Sequence, residues 1–485
     1  MRNKGVGSWP ARRARMSPHR VAVVHDGREW TFAEVADRAT GMAHVLAAHG
    51  VSKGDRVAHL GPNHPAFLET LFATGLLGAV FVPLNTRLAA PELDYILRDS
   101  GAAVLVHAPL PVVDDLRDAP TRLALDGLDL PSAAEPFDVE VADDDVCMIM
   151  YTSGTTGRPK GAMLTHANIA WNSFNLLLDI DLTSAEVTLV NAPMFHVAAL
   201  NMTVLPTFLK GGRSVLMGAF DADLSLELIE RYGVTYTFGV PAQYQMLARS
   251  PKWDGADLSS LRSVSCGGAP VPAALIETYQ RRGLTFLQGY GLSEAAPGVT
   301  YLRADDSTRK AGSAGTSVFF GDVRVVRPDG STVDTGEPGE ILAEGPNVMA
   351  GYWGLPDATA EVLSDGWLRT GDVAVLDDEG FAYIRDRVKD LIISGGENIY
   401  PAEVEDALYA HPAVAECAVV GIPDDRWGEV GRAFVVLADG ASAEPRELLD
   451  FLDGRIARYK VPKSVVFLES LPRTGSGKVL KKRLR

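Results

Sequence analysis

Cysteine is scarce in this chain of 485 residues, and the three present, Cys147, Cys266 and Cys417, stand far apart. None has the spacing of a metal knuckle or of a disulfide framework, so the chain reads as one that folds in a reducing compartment, the cytoplasm. Positive charge is also in short supply: 46 lysines and arginines face 62 aspartates and glutamates, a formal net charge of −16. A field of that sign argues against nucleic acid as a partner. Long hydrophobic runs are missing too. The most apolar stretch, residues 68–84, is broken by Gly75, Gly78 and Pro83. It is too short and interrupted to be a transmembrane segment, and it fits a core helix leading into a strand at 79–82. The first twenty residues carry Arg12, Arg13, Arg15 and Arg20 but no apolar core of a secretory signal. They read as a mature N-terminus of solvated charge, capable at most of weak peripheral membrane contact.

What is present is an ordinary globular composition, 46% hydrophobic and 22% charged, long enough for about three domains. Short β-branched runs alternate with helical patterns from Val21 onward, which implies parallel sheets with helices on their faces. Thr31 and Glu34 form a capping box that opens one of those helices. Residues 108–140, rich in Pro, Asp and Ala, read as a connection. From Val323 the texture changes to hairpins, with turns at 328–330 and 378–380. A charged junction at 385–390 precedes a unit of about a hundred residues, a plausible domain size. That unit has a helix opened by Pro401, a second helix near 446–458 and strands near 414–420, 434–437 and 464–467.

The stretch around which the rest is arranged is Tyr151-Thr-Ser-Gly-Thr-Thr-Gly-Arg-Pro-Lys160-Gly161. It gathers four hydroxyls (Thr152, Ser153, Thr155, Thr156), glycines including Gly154, and two cations. The apolar run before it reads as a buried strand, and Thr165 reads as the cap of a helix, so the loop is expected between a strand and a helix. Glycines let backbone N–H groups close in and hydroxyls add donors, which suits a polyphosphate. An ordinary flexible turn has the same composition. It is not a Walker loop, because the Gly-x-x-x-x-Gly-Lys-Ser/Thr spacing is absent.

This stretch resembles the phosphate-binding signature of the adenylate-forming (ANL) superfamily: acyl-CoA synthetases, aryl-CoA ligases, luciferases and carrier-loading adenylation domains. Further motifs follow in that family's order, so the resemblance covers nearly the whole chain. In Gly267-Gly-Ala-Pro270 it implies that Gly268, Ala269 and Pro270 pass along the adenine. In Gln288-Gly-Tyr-Gly-Leu-Ser-Glu294 it implies nucleotide contacts from Gln288, Gly289, Tyr290, Gly291 and Ser293. Tyr290 offers a face for stacking, and Ser293 stands where the family more often has Thr. Glu294, with Thr152, is implied as a ligand of Mg²⁺, which binds through few carboxylates plus substrate phosphates. Trp367-Leu-Arg-Thr-Gly-Asp372 resembles the ribose-binding signature: Asp372 can accept both hydroxyl protons of a diol. Arg387 is the second ribose contact and Ile384 a flanking one; an Asx turn is the alternative for Asp372. The resemblance makes Lys389 the pivot of a hinge. It makes Ser394, Gly395, Gly396 and Glu397 a loop that enters the site for a second half-reaction. The tail Pro472-Arg-Thr-Gly-Ser-Gly-Lys478 matches the family's catalytic-lysine segment, with Lys478 reaching the α-phosphate. By the same resemblance His196 is a catalytic-site residue that borders the acid's carboxylate and gates the pocket; a packed polar group beside an apolar run is the alternative.

The implied fold is α/β. A large N-terminal AMP-binding domain (1–386), of two αβαβα-type subdomains plus a β-rich subdomain, joins a small mobile α+β C-terminal domain (392–485) through a hinge at 387–391. The implied reaction is that of an ATP-dependent acyl-CoA synthetase. A small-molecule carboxylic acid is activated as acyl-AMP, pyrophosphate leaves, and the acyl group passes to coenzyme A with release of AMP. The chain stops just after the catalytic tail, so free coenzyme A is expected as acceptor, in a monomer or homodimer. The windows expected to line the acyl site, 196–202, 236–246, 266–270 and 295–300, contain no charged residue. Their small side chains suggest an open tunnel, and a medium- or long-chain fatty acid is the expected substrate. An aryl or cinnamate-type acid, a ligase that loads a separate carrier protein, and a nucleotide sensor without turnover are the alternatives.

Overall fold

β-Branched and leucine-rich runs of four to seven residues build two large sheets in the computed structural model. It describes residues 2–485 apart from 118–119, 153–157, 388–389, 395–396 and 474–477. The first sheet has seven strands, in the order Gly351–Tyr352, Lys160–Thr165, Val146–Thr152, Val80–Leu84, Arg56–Leu60, Ala102–His107, Thr121–Ala124. The second has nine: Thr316–Ser317, Gly298–Tyr301, Phe286–Gly291, Ser263–Gly267, Tyr236–Gly239, Val187–Val190, Arg213–Leu216, Val21–His25, Arg28–Thr31. Their central strands are parallel, as strand–helix alternation requires. The expected capping box is present: Thr31 accepts from the Glu34 amide and its own amide donates to the Glu34 carboxylate. Helix Pro65–Leu77 runs into strand Val80–Leu84, as the broken apolar stretch suggested.

One apolar cluster spans both sheets, from Val23, Val190 and Leu216 to Phe81 and Met148. The opposite face of the nine-stranded sheet carries helices Ala222–Tyr232, Pro241–Arg249 and Ala273–Arg281 over Tyr244, Tyr279 and Phe286. Strands Asp322–Val326, Gly339–Glu344, Leu363–Ser364, Trp367–Leu376 and Ala382–Arg387 form the antiparallel β-rich subdomain. The C-terminal unit has its own five-stranded sheet and two helices, Pro401–Tyr409 and Pro445–Leu452. Its two apolar clusters hold residues beyond 391 alone. It meets the larger body through polar contacts: Ala273 N–H to Asp406 at 3.2 Å, Arg249 to the Ala415 carbonyl at 3.3 Å, and Ala402 N–H to Asp386 at 3.0 Å.

Four expectations need correction. The N-terminal segment is packed rather than solvated. Val6 and Trp9 are buried, Arg13 donates to the Leu209 carbonyl at 2.8 Å, and Gly7 lies so close to the backbone at Gly75 that a Cβ would overlap it. The region 108–140 contributes an edge strand, Thr121–Ala124, paired in parallel with Ala102–His107. The second C-terminal helix stops at Leu452, where Gly454 turns the chain with φ +76°. The fourth concerns the phosphate loop and is taken up below.

Candidate active site

The loop that follows Thr152 does not lead into a helix. It joins Val146–Thr152 to the antiparallel strand Lys160–Thr165, with Thr152 opposite Lys160, and the Thr165-capped helix His166–Asp179 begins only after that second strand. Ser153, Gly154, Thr155 and Thr156 lie outside the described residues. So do Lys389, Gly395 and Gly396.

Next to this hairpin the chain returns as a strap. Tyr352 pairs with Ala162, Trp353 N–H donates to the Gly161 carbonyl, and the Lys160 ammonium lies 5.0 Å from the Tyr352 ring centroid. The Tyr352 hydroxyl donates to Glu294 Oε1 at 2.8 Å, and Met349 N–H donates to the Glu294 carbonyl at 2.8 Å. Thr152, Lys160, Tyr352 and Glu294 thus form one continuous wall. Among the described residues no cluster of three or more metal-binding side chains occurs. The donor set is one carboxylate, with one oxygen already bonded to Tyr352. That fits a hard cation that takes its remaining ligands from phosphate and water.

Buried asparagines hold the Glu294 turn. Asn347 donates to the Ala295 and Gly298 carbonyls at 2.6 and 2.7 Å, and Asn201 donates to the Ala296 carbonyl at 3.1 Å. Asn172 accepts from Gly298 N–H at 3.1 Å and donates to the Asn201 carbonyl at 2.9 Å. Asn168 reaches the Pro346 and Val348 carbonyls from the same helix. Neither Asn347 nor Tyr352 was singled out from the sequence, because each acts on a segment about fifty residues away. The helical spacing of Asn168, Asn172 and Asn175 was a legible signal: three amides on one face of a helix that has to pack.

Opposite this wall stand the ribose candidates. Asp372 and Arg387 face each other across two antiparallel strands, with the guanidinium 3.4 Å from Asp372 Oδ1. The Tyr290 hydroxyl donates to Asp372 Oδ2 at 2.7 Å. Burial pushes the Asp372 carboxyl above its ordinary value of 3.8, while Arg387, Tyr290 and Lys478 pull it back. Ile384 lies beside this pair, opposite Ala374. Gln288 is buried, and its Nε2 meets no hydrogen-bond partner among the described residues. Gly289, Gly291 and Ser293 continue the turn to Glu294, and Ala269 and Pro270 follow Gly268.

Lys478 is brought to the same place from the C-terminal unit. A Cβ at Gly268, whose φ is +79°, would stand 3.8 Å from Lys478 Cε. The residue keeps solvent access as a whole, yet its ammonium is deep enough for desolvation to lower its pKa from 10.5. Arg387 adds to that lowering, and Asp372 and Glu294 oppose it. Ser394 and Glu397 are not brought in. They end a hairpin of the C-terminal sheet, where Ser394 pairs with Gly428. Among the described residues they share no hydrogen bond or ion pair with Asp372, Tyr290 or Glu294.

His196 opens the helical segment that runs through Val197–Ala199, a π-helical turn at Leu200–Val204 and Leu205–Lys210, and its ring lies 4.6 Å from that of Phe195. Ala198 and Met202 of this segment pack with Tyr236, Phe238, Leu287 and Tyr301 of the nine-stranded sheet. Residues from the expected acyl windows therefore meet here, and Tyr236 and Tyr301 among them are fully buried. Two ion pairs lie near these tyrosines, Arg262–Glu186 at 2.8 Å and Arg303–Asp179 at 2.7 Å, with both carboxylates buried. These charges lie outside the windows that looked uncharged in the sequence.

The chain matches the family model described as "AMP-binding enzyme" over residues 10–353 and that described as "AMP-binding enzyme C-terminal domain" over 403–478. It is 58% identical to a feruloyl-CoA synthase of Amycolatopsis sp., covering 100% of this chain and 99% of the relative. It is 41% identical to a long-chain-fatty-acid–CoA ligase of Mycobacterium tuberculosis, covering 99% and 98%. Among solved structures, the o-succinylbenzoate coenzyme A synthetase of Bacillus subtilis in complex with ATP and magnesium ion matches with a TM-score of 0.91 and 36% identity, covering 98% of this chain and 99% of that one.

Proposed function

The chain belongs to the AMP-binding enzyme family, as an acid–thiol ligase of its acyl-CoA synthetase branch, and we propose that its acid is aromatic, of the hydroxycinnamic kind. The expectation of a medium- or long-chain fatty acid is set aside, since the relative at 58% identity is a feruloyl-CoA synthase. The observation that carries the aromatic reading is that likeness, which runs over the whole length of both chains. The packing of the acyl windows agrees with a short, ring-bearing acid: Tyr236, Phe238 and Tyr301 pack with Ala198 and Met202, and the buried carboxylates of Glu186 and Asp179 are paired with Arg262 and Arg303. An acid long enough to disturb those pairs would do so at a cost of several kcal/mol (roughly 3–5).

In the proposed mechanism the acid's carboxylate attacks the α-phosphate of ATP and pyrophosphate leaves. Asp372 and Arg387 hold the ribose, and Tyr290 fixes Asp372 while offering its ring to the adenine. The hairpin loop from Thr152 to Lys160 cradles the β- and γ-phosphates, and Gln288 donates toward the nucleotide. Lys478 neutralises charge that grows on the α-phosphate and carboxylate oxygens, where positioning and electrostatics carry phosphoryl transfer. Glu294, with Thr152, would hold Mg²⁺, which would supply positive charge to the phosphates. His196 stands at the mouth of the acyl pocket. For the second half-reaction the C-terminal domain, 392–485, turns about the 387–391 segment with Lys389 as pivot. Lys478 withdraws, and the 394–397 loop takes its place, so that the coenzyme A thiol reaches the acyl-adenylate and releases AMP. The polar contacts and separate apolar cores of the two bodies favour such a rotation.

Purified protein given Mg·ATP, coenzyme A and a panel of ferulic, cinnamic, benzoic and C8–C16 fatty acids tests the reading. Thioester formation and AMP release with the arylpropenoic acids at a kcat/KM at least about tenfold above that for any fatty acid is the expected result. A fatty acid as the best substrate overturns it.

A further inference from the structure

We propose that Tyr95 and Asp99, on helix Ala90–Ser100, are positioning residues for the phosphate loop, which they serve by holding the residues on either side of it, Tyr151 and Pro159. The inference rests on the reading of that loop as the cradle of the β- and γ-phosphates. It adds the side chains that keep the two stems of the cradle in place.

Tyr95 and Asp99 are four residues apart on their helix, so they share one face of it. The first stem runs up to Tyr151 and Thr152. There the Tyr151 ring lies across Gly161 of the facing strand, where a Cβ would stand 3.2 Å from it. The Tyr151 hydroxyl donates to Asp99 Oδ2 at 2.6 Å. The second stem begins at Pro159, whose carbonyl accepts from the Tyr95 hydroxyl at 3.2 Å. That hydroxyl also stands 3.4 Å from Asp99 Oδ1, and the Arg158 guanidinium lies 5.6 Å from the Tyr95 ring centroid. Both stems are thus tied to one turn of one helix, and spreading them would break one of these bonds.

The helix end is itself anchored. Arg56 donates to the Ser100 and Gly101 carbonyls, each at 2.7 Å, and the Trp353 indole donates to the Asp99 carbonyl at 3.1 Å. Trp353 also gives its amide to Gly161, so the strap that carries Tyr352 to Glu294 ends on the same helix. A carboxylate in the last turn of a helix faces the negative end of the macrodipole, which makes Asp99 a poor choice for the helix alone. As acceptor of the Tyr151 proton it makes a charge-assisted bond, which is short and strong. Burial and the bond to Asp99 push the Tyr151 phenol up, so the hydroxyl keeps the proton it donates. Tyr95 and Asp99 act through the stems rather than on the nucleotide.

The β- and γ-phosphates are present in ATP and absent from AMP. A loop released from its clamp therefore weakens the first ligand and spares the second. In the full chain Tyr151→Phe removes one oxygen and keeps the ring over Gly161. By calorimetry the Kd for Mg·ATP should rise about 5- to 10-fold, with the Kd for AMP within about twofold. Asp99→Ala should match it, and the double variant should be no weaker than the weaker single one, since both delete the same bond. Asp99→Asn keeps an acceptor oxygen and should recover most of the affinity. Tyr95→Phe should cost about threefold. Equal rises for ATP and AMP, which a general loss of packing would give, overturn the proposal. So do additive losses in the double variant, or an unchanged ATP constant in Tyr151→Phe. Lys160→Ala separates the two levels. If it leaves the Kd for Mg·ATP unchanged, the phosphate reading of the loop falls and the clamp with it; if it weakens ATP while Tyr151→Phe does not, the clamp alone falls.

Discussion

At the nucleotide end of the cleft Asp372, Arg387, Lys478, Lys160 and Glu294 stand within one connected set of contacts, whereas the acyl end gathers Tyr236, Phe238 and Tyr301 in an apolar setting. The difference follows what each end has to do. Charge accumulates on phosphate and carboxylate oxygens as a phosphoanhydride is exchanged for an acyl-adenylate, and fixed charges held by neighbours stabilise it without reorganising. An aromatic acid gains no charge at its far end, so an apolar setting there needs no fixed charges. Charge-assisted bonds are about twice as strong as neutral ones. Substitutions at the nucleotide end should therefore cost more, and cost all substrates alike.

The sharpest way to break this contrast is at Lys478. Lys478→Ala should slow adenylation about 100- to 1,000-fold for every acid tested. Thioester formation from preformed acyl-adenylate and coenzyme A should change by only a few-fold. Loss confined to one acid would place the lysine at the wrong end, and equal loss of both half-reactions would remove the domain rotation. The lysine's environment also sets a pH limb. Desolvation and Arg387 lower its pKa from 10.5, so its charge is lost on the alkaline side at a lower pH than an ordinary lysine's. Adenylation rates, followed by pyrophosphate release, should therefore decline earlier on the alkaline side than an ordinary lysine would require, and Lys478→Arg should move that decline upward.

A smaller effect is expected at Asp372. Asp372→Ala removes two charge-assisted bonds from the ribose and should raise the KM for ATP about 10- to 100-fold, with the KM for the acid within about threefold. The reverse pattern in steady-state kinetics would displace it from the nucleotide. The smallest effect belongs to Tyr352. Tyr352→Phe deletes the hydroxyl bond that orients Glu294, worth about 1 kcal/mol, and should raise the Mg²⁺ concentration for half-maximal rate about fivefold. An unchanged magnesium titration would reduce the tyrosine to packing.

Much of this protein was legible in its residues. The strand and helix runs, the Thr31 and Thr165 caps, and the order of the motifs follow from local chemistry, because each depends on neighbours in the chain. Asp372, Arg387, Tyr290, Glu294 and Lys478 were singled out through the motifs' resemblance to a family, and the fold gathers them at one cleft. What local pattern could not supply was the partner of each. The phosphate loop looked like a strand-to-helix turn because Lys160–Thr165 is only six residues long and precedes a well-capped helix. The hairpin became visible only once Val146–Thr152 was seen to pair with it. Small side chains in the acyl windows suggested a tunnel, because the buried ion pairs next to these windows come from strand ends and a helix elsewhere in the chain.

The sequence by itself determined the chemistry, since the residue types that bind a nucleotide and carry charge to its phosphates sit in motifs short enough to read. The tertiary structure alone decided how the acyl side is packed. There, residues from Asp179 to Arg303 converge across the nine-stranded sheet and the helices against it. No spacing along one strand of text encodes that convergence; packing does.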